Sequence, residues 1–136
     1  MGFQQLMPRS TFIFECSTAT YLDCVQKNLF GSNLPWPLKI KKGDFCCLYH
    51  YEVSTLFALW QATTDGGRNL VPKAWGGRFP FQVKVSLATP EIVEIAKATV
   101  PEAPLNPATG KFDNALEEPR ADQLLKLVQQ VAGHRT

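Results

Sequence analysis

No apolar run in the sequence reaches the roughly 18 residues that a membrane-spanning helix requires, and the opening MGFQQLMPRS lacks the apolar centre of a secretory signal. Charge is also scarce: Asp, Glu, Lys and Arg make up 19% of 136 residues, and the formal net charge is +2. So small a balance does not mark a nucleic-acid or membrane binder by composition, and it leaves room for a local basic patch. Histidine is limited to His50 and His134. A Ser/His/Asp system would have to rest on His50, and no nucleophile sits in a recognisable elbow. A thiol pair of Cys16 or Cys24 with His50 has neither the spacing nor the flanks of such a site.

The four cysteines, Cys16, Cys24, Cys46 and Cys47, show no CxxC spacing. Adjacent strand residues point to opposite faces, so Cys46 and Cys47 are badly placed to share a metal, and all four read as buried free thiols. The resulting expectation is a cytoplasmic protein of the reducing interior, with no cofactor, no metal, no membrane partner and no catalytic activity.

Apolar residues make up 45% of the chain, enough for one globular domain to bury a core without metals or disulfides. We expect an N-terminal extension over 1–10, one domain over 11–132 and a tail over 133–136 that contains His134. TFIFECS reads as a first strand of about five residues. Ser17 to Thr20 offer hydroxyl caps to a helix in which Tyr21, Cys24, Val25 and Asn28 recur, with Gly31 as its stop. SNLPWPLKI, broken by Pro35 and Pro37, reads as an extended loop, and KKGD as a turn with Gly43 at positive φ.

Phe45–Tyr51 and Thr55–Thr63 form an expected antiparallel hairpin. TDGGRNLVPKAWGG is an expected long surface loop. The strand FPFQVKVSL alternates, with Phe79, Phe81, Val83 and Val85 on one face, Arg78, Gln82 and Lys84 on the other, and Pro80 at an edge or pairing on one side only. EIVEIAKATV leans to strand by its β-branched content, and VPEAPLNPATG is a loop. EPRADQLLKLVQQVAG is an amphipathic helix with Leu124, Leu125, Leu127, Val128 and Val131 on one stripe and Gly133 beyond it. The order of elements predicts an α+β fold: a strongly curved mixed sheet or small β-barrel with helices packed outside.

Three blocks in order, FIFECSTATYLDCVQKNLFGSN, IKKGDFCCLYHYEVSTLFALWQA and WGGRFPFQVKV, with the tail KFDNALEEPRADQLLKLV, resemble the plant DCD (development and cell death) domain over residues 11 to 131. KKGDFCCLYHY followed by TLFALWQA is similar to the EVE pattern. A strand, a helix ending in an aromatic, a strand pair and a Trp-bearing loop before GxF resemble the YTH domain. Both are PUA-like barrels that bind modified bases. The resemblance implies a non-enzymatic module that recognises a modified base in single-stranded RNA or DNA, or a nucleotide-like ligand. The alternative it implies is a protein–protein interaction module in stress or cell-death signalling.

In YTH-like proteins tryptophans after the first helix and before the GxF strand close an aromatic cage. Phe30 or Trp36 occupies the first region here and Trp75 the second, with Phe30 standing where the YTH pattern has tryptophan. Bases are recognised when splayed out and stacked on aromatic faces with their edges read by polar groups. The candidate ligand-binding set is therefore Phe30, Ser32, Asn33, Trp36, Trp75 and His50. Lys39, Lys41, Lys42, Arg68, Lys73 and Arg78 lie close in sequence to these loops and form the candidate phosphate or nucleic-acid rim. Each has a plainer reading: Trp36 as a plug of one barrel end, Trp75 as a packing ring, His50 as a satisfied barrel-facing histidine, and KIKKGD as a solvated turn. Trp60, inside its strand, is expected in the core.

Overall fold

The computed structural model describes residues 10–133, so the expected extension up to position 9 and the tail from His134 lie outside the described residues. The elements run β1 (Thr11–Cys16), α1 (Thr18–Lys27), β2 (Leu29–Ser32), β3 (Phe45–His50), β4 (Thr55–Ala62), β5 (Gly67–Arg68), β6 (Phe81–Leu87), β7 (Val93–Ala96), β8 (Ala115–Leu116) and α2 (Arg120–Gly133). They build an α+β fold around an 8-stranded mixed sheet ordered β2-β6-β4-β3-β1-β8, with β5 on β6 and β7 on β4. β1 runs parallel to β3, and the other pairings are antiparallel. The sheet curls into a half-barrel because β4 divides its pairing. Thr55–Ala58 face β7, Trp60–Ala62 face β6, and the β3–β4 register shifts between Cys46 and Leu48. Such a bulge adds bend and twist where it falls.

Two cores follow from the alternation along each strand. Phe12, Phe14, Cys46, Leu48, Trp60, Val83 and Val85 pack inside the curl, together with Phe30 and Cys24 of α1. Ile13, Cys47, Leu56, Ala58, Val93 and Ile95 face outward, where Ala121, Leu124 and Val128 of α2 cover them. Cys46 and Cys47 thus serve opposite cores, and all four cysteines are free and buried. Gly133 is the last residue of α2 and does not lie beyond it. Among the described residues no helix is long and apolar enough to cross a membrane.

Three sequence expectations are corrected. Ser17 caps α1 as expected, its N–H donating to Thr20 Oγ1 at 3.0 Å, but the helix ends at Asn28, which takes the left-handed conformation at φ 51. Gly31 is instead a strand residue of β2, paired with Gln82. The 31–40 segment also contains a 3-10 turn, Trp36–Lys39, with the Ile40 N–H donating to Pro37 O at 3.0 Å. Proline is tolerated there because a first helical turn needs no donor from it. The third concerns the polar face of β6: Arg78 and Lys84 are exposed, but Gln82, grouped with them by the alternation, is 1% exposed. Its Oε1 accepts from Val71 N at 2.8 Å, and its Nε2 donates to Val71 O and Phe79 O at 3.2 and 3.0 Å. The 64–80 loop is therefore strapped down. β5 pairs with β6, Asn69 N–H donates to Pro80 O, and Gly66 N–H donates to Ile40 O.

Replacing Gln82 by Ala strands the Val71 amide pair, at roughly 1–3 kcal/mol for a buried group left unsatisfied. Q82A should lower the urea midpoint by a corresponding amount and speed hydrogen exchange at Val71; an unchanged midpoint would refute the clamp.

The thiols set an alkaline limit. Burial pushes Cys16, Cys24 and Cys47 up from 9.0 to about 12, and holds Cys46 well above its ordinary value. Between those limits an unfolded thiol has lost its proton while the folded one keeps it. Stability present below pH 9 therefore falls as pH rises toward 12, by about 1.4 kcal/mol per pH unit per thiol. Urea titrations across this range should show that slope, flattened in a Cys47→Ala variant by one thiol's share.

Candidate functional site

A recess of about 260 Å³ opens where β1, β2 and the turn after β2 meet. Half-buried Phe79 and Trp36 supply its aromatic walls, Phe14, 1% exposed, lies at its floor, and Gly31, Ser32, Asn33 and Leu34 supply one edge. The 3-10 turn brings Trp36 against the sheet. Its ring lies 4.5 Å from Phe14, tilted by 47°, and 6.1 Å from Phe12, nearly parallel. Trp36 is only half-buried, so its ring belongs both to the inner core and to the recess. Ser32 Oγ accepts from Leu34 N at 3.0 Å, which shapes the edge and leaves the hydroxyl proton available as a donor. Asn33 is exposed on the same edge.

Trp75 sits just behind this wall. A Cβ on Gly31 would fall 2.7 Å from Trp75 Cζ3 and 3.1 Å from Phe79 Cβ, so the indole rests directly on the glycine backbone. Trp75 also meets Phe79 edge-on at 5.6 Å. Its backbone is left-handed, at φ 51, and its buried indole N–H has no partner. For a bulky residue that conformation costs about 1–3 kcal/mol, and the orphaned donor costs about as much again. Both costs fall on one ring beside the recess. Gly76 and Gly77, at φ 62 and 82, carry the same reversal of the chain.

The remaining expected residues separate. Phe30 is 0% exposed and meets Phe14 and Trp60 edge-on at 5.5 and 5.1 Å, so it belongs to the core and walls no cleft. Its place in β2 turns it inward beneath Gly31. His50 is also buried and does not line the recess, with Nε2 3.4 Å from Thr18 Oγ1, Tyr21 and Phe57 beside it, and Nδ1 without a partner. Trp60 is buried in the inner core. Of the expected basic rim, Arg78 comes nearest: its guanidinium lies 5.5 Å over the Phe79 ring, and its Nε donates to Trp75 O at 3.3 Å. Arg68 caps Phe81 at 5.4 Å instead. Lys39, Lys41, Lys42 and Lys73 are exposed and line neither this recess nor the next.

A second recess, of about 400 Å³, lies across a ridge of Glu15, Tyr51 and Asn114 whose residues line both. It is walled by Ile13, Tyr49, Ser54, Phe112, Lys97 and Lys111. Lys97 Nζ donates to Gly110 O at 2.9 Å, and the Tyr49 and Phe112 rings stand 5.6 Å apart. Sequence reasoning missed these residues because they come from separate elements, Ile13 from β1, Tyr49 from β3, Ser54 from the β3–β4 turn, Lys97 from the turn after β7 and Lys111 and Phe112 from the segment before β8, all remote in sequence from both tryptophan loops. The one signal was Glu15, a lone exposed position in an otherwise buried β1.

Gly31→Ala should displace the Trp75 indole, since the nearest ring atom cannot coexist with a methyl group at 2.7 Å. We expect a changed near-ultraviolet circular dichroism spectrum and a shifted tryptophan emission with the far-ultraviolet spectrum kept; identical near-ultraviolet spectra would contradict the packing.

A family model for the development and cell death domain matches residues 10–128. The DCD domain-containing protein NRP-A of Glycine max is 34% identical over 86 residues, 54% of this chain and 23% of that protein. The B2 protein of Daucus carota is 33% identical over 86 residues, 54% of this chain and 41% of its own length. The chain thus spans less than half the length of the curated relatives it matches. Among solved structures, the Mmi1 YTH domain in complex with RNA superposes with a TM-score of 0.69 over 93% of this chain and 82% of that one, at 10% identity. The YTH domain of the Zygosaccharomyces rouxii MRB1 protein, in complex with N6-methyladenosine RNA, does so with a TM-score of 0.62 over 90% and 88%, at 14% identity. The YTH structures establish the fold, and the match across 10–128 establishes the kinship: the chain belongs to the development and cell death domain family.

Proposed function

We propose that the domain is a non-enzymatic binding module that takes one base of a single-stranded RNA or DNA, a modified base in particular, into the recess beside Trp36. The observation that carries this reading is the recess itself: about 260 Å³, walled by Trp36 and Phe79, floored by Phe14 and edged by the Gly31–Leu34 backbone. That volume lies just below the ~300–1,000 Å³ of sites for drug-sized ligands, which suits one planar ring system. Ser32 and Asn33 stand where an edge of that ring would be read. The fold is shared with YTH domains solved in complex with RNA, one with N6-methyladenosine RNA, which supports a nucleic-acid ligand here.

A binder suits the chemistry better than a catalyst. Burial, with Glu15 and Glu52 adding to it, holds the Cys16 thiol protonated, and the same holds for Cys24 with burial again the main cause. Neither thiol is thus an activated nucleophile. The free thiols also fit a reducing, intracellular setting.

Short single-stranded RNA and DNA, each with and without N6-methyladenosine, should quench tryptophan emission on titration. Trp36→Ala should weaken binding by about 1–3 kcal/mol, roughly 5- to 150-fold, the usual worth of one stacked base. A thermal melt of the variant controls for lost packing against Phe12 and Phe14. No quenching with any oligonucleotide would sink the base-site reading and favour the protein-interaction alternative.

A further inference from the structure

The two recesses are contiguous and differ in charge. Among the described residues Glu15, on the shared ridge, is the only charged side chain lining the first. The second has Glu15 together with Lys97 and Lys111. An anion in the first recess would meet a carboxylate with no cation beside it. In the second it would meet two ammonium groups. The bond from Lys97 Nζ to Gly110 O uses one of three donors and fixes that ammonium in the wall, leaving two donors for a ligand. Next to the lysines stand the half-buried rings of Tyr49 and Phe112, and Tyr51 on the ridge is 55% exposed.

This pattern, an aromatic slot without a cation beside a basic aromatic one, matches the alternation of base and phosphate along a single strand. We propose that the second recess is a subsite for the nucleotide flanking the recognised base, with Lys97 and Lys111 on its phosphate and the Tyr49–Phe112 pair against its sugar or base. Glu15 keeps phosphate out of the first recess and so sets the register of the strand. The proposal rests on the first recess being a base site. It adds that the ligand is at least two nucleotides joined by a phosphate, and that a free nucleoside fills only half of the site.

The test compares N6-methyladenosine as the free nucleoside with a short single-stranded RNA containing it. Both are titrated into the wild-type domain, into the double variant K97A/K111A, and into K111E, which keeps the Lys97–Gly110 bond. For the RNA, the double variant should lose roughly tenfold in affinity near 0.1 M salt, and the slope of log K against log salt should fall by about 0.7, for the one phosphate no longer neutralised. Nucleoside affinity should not change. If both variants keep the RNA affinity and salt slope while W36A still weakens binding, the base site stands and the second subsite is wrong. Equal losses for nucleoside and RNA would likewise overturn it, since the lysines would then act on the fold. If the wild-type domain binds neither probe, the base-site reading itself fails and takes this subsite with it.

Discussion

The half-barrel depends on β4 having two partners along one edge, β7 and β6, opposite β3. A strand that keeps one neighbour along its length extends a gently twisted sheet, whereas β4 gives Thr55–Ala58 to β7 and Trp60–Ala62 to β6. The register shift opposite Cys46–Leu48 falls between the two halves. The bend swings β6 and β2 around until Phe30 meets Phe14 and Trp60 edge-on, an arrangement favoured by the aromatic quadrupole. It also leaves β1 and β3 between two cores. That explains why FCCLYH is nearly continuous in apolar residues: Cys46 and Leu48 face the curl, and Cys47 faces α2.

A second constraint turns this curl into a site. Gly31 lies near the end of β2 with Trp75 and Phe79 pressed against it, and any side chain there would push the Trp75 ring away and crowd the Phe79 backbone. Gln82, opposite Gly31 in the β2–β6 ladder, holds Val71 and Phe79 from the other side. The loop that carries Trp75 is thereby pinned at both flanks, which is how a segment with left-handed residues at 75, 76 and 77 stays folded against the sheet. Binding surfaces on loops work when a rigid scaffold fixes the loop. Here one buried amide and one glycine do the fixing.

Much of the fold was legible because its signals are periodic. The α2 stripe, the β3–β4 hairpin and the apolar positions of β6 follow directly from spacing, and the opposite faces of Cys46 and Cys47 follow from the pleat. The errors share a cause. Residue type and local pattern mislead at Gln82, Gly31 and Phe30 because each is set by a partner distant in the chain: Val71 for the amide, Trp75 for the glycine, Trp60 for the ring. Trp36 was readable as a presented ring, while its 3-10 turn was hidden by two prolines that read as extended. The lysines of the second recess were invisible for a plainer reason. Nothing in the spacing of a loop tells which side of a sheet its middle returns to.

Phe30 carries the last step. With its ring turned fully into the core, the region after α1 offers an aromatic wall only through Trp36, six residues on and mounted on a separate turn. A wall built this way lies against Phe14 on β1 rather than over the β2 edge, and β1 is the strand that carries Glu15 to the ridge. The exchange of an inward Phe30 for an outward Trp36 therefore does more than replace one ring by another. It sets the aromatic wall near the ridge, so that a base in the proposed site would have the Ser32–Asn33 edge on one side and the Glu15 carboxylate on the other. A carboxylate accepts hydrogen bonds and repels phosphate. On the proposed function, the recess would thus favour a ring that presents N–H donors toward β1 and keeps its phosphate beyond the ridge.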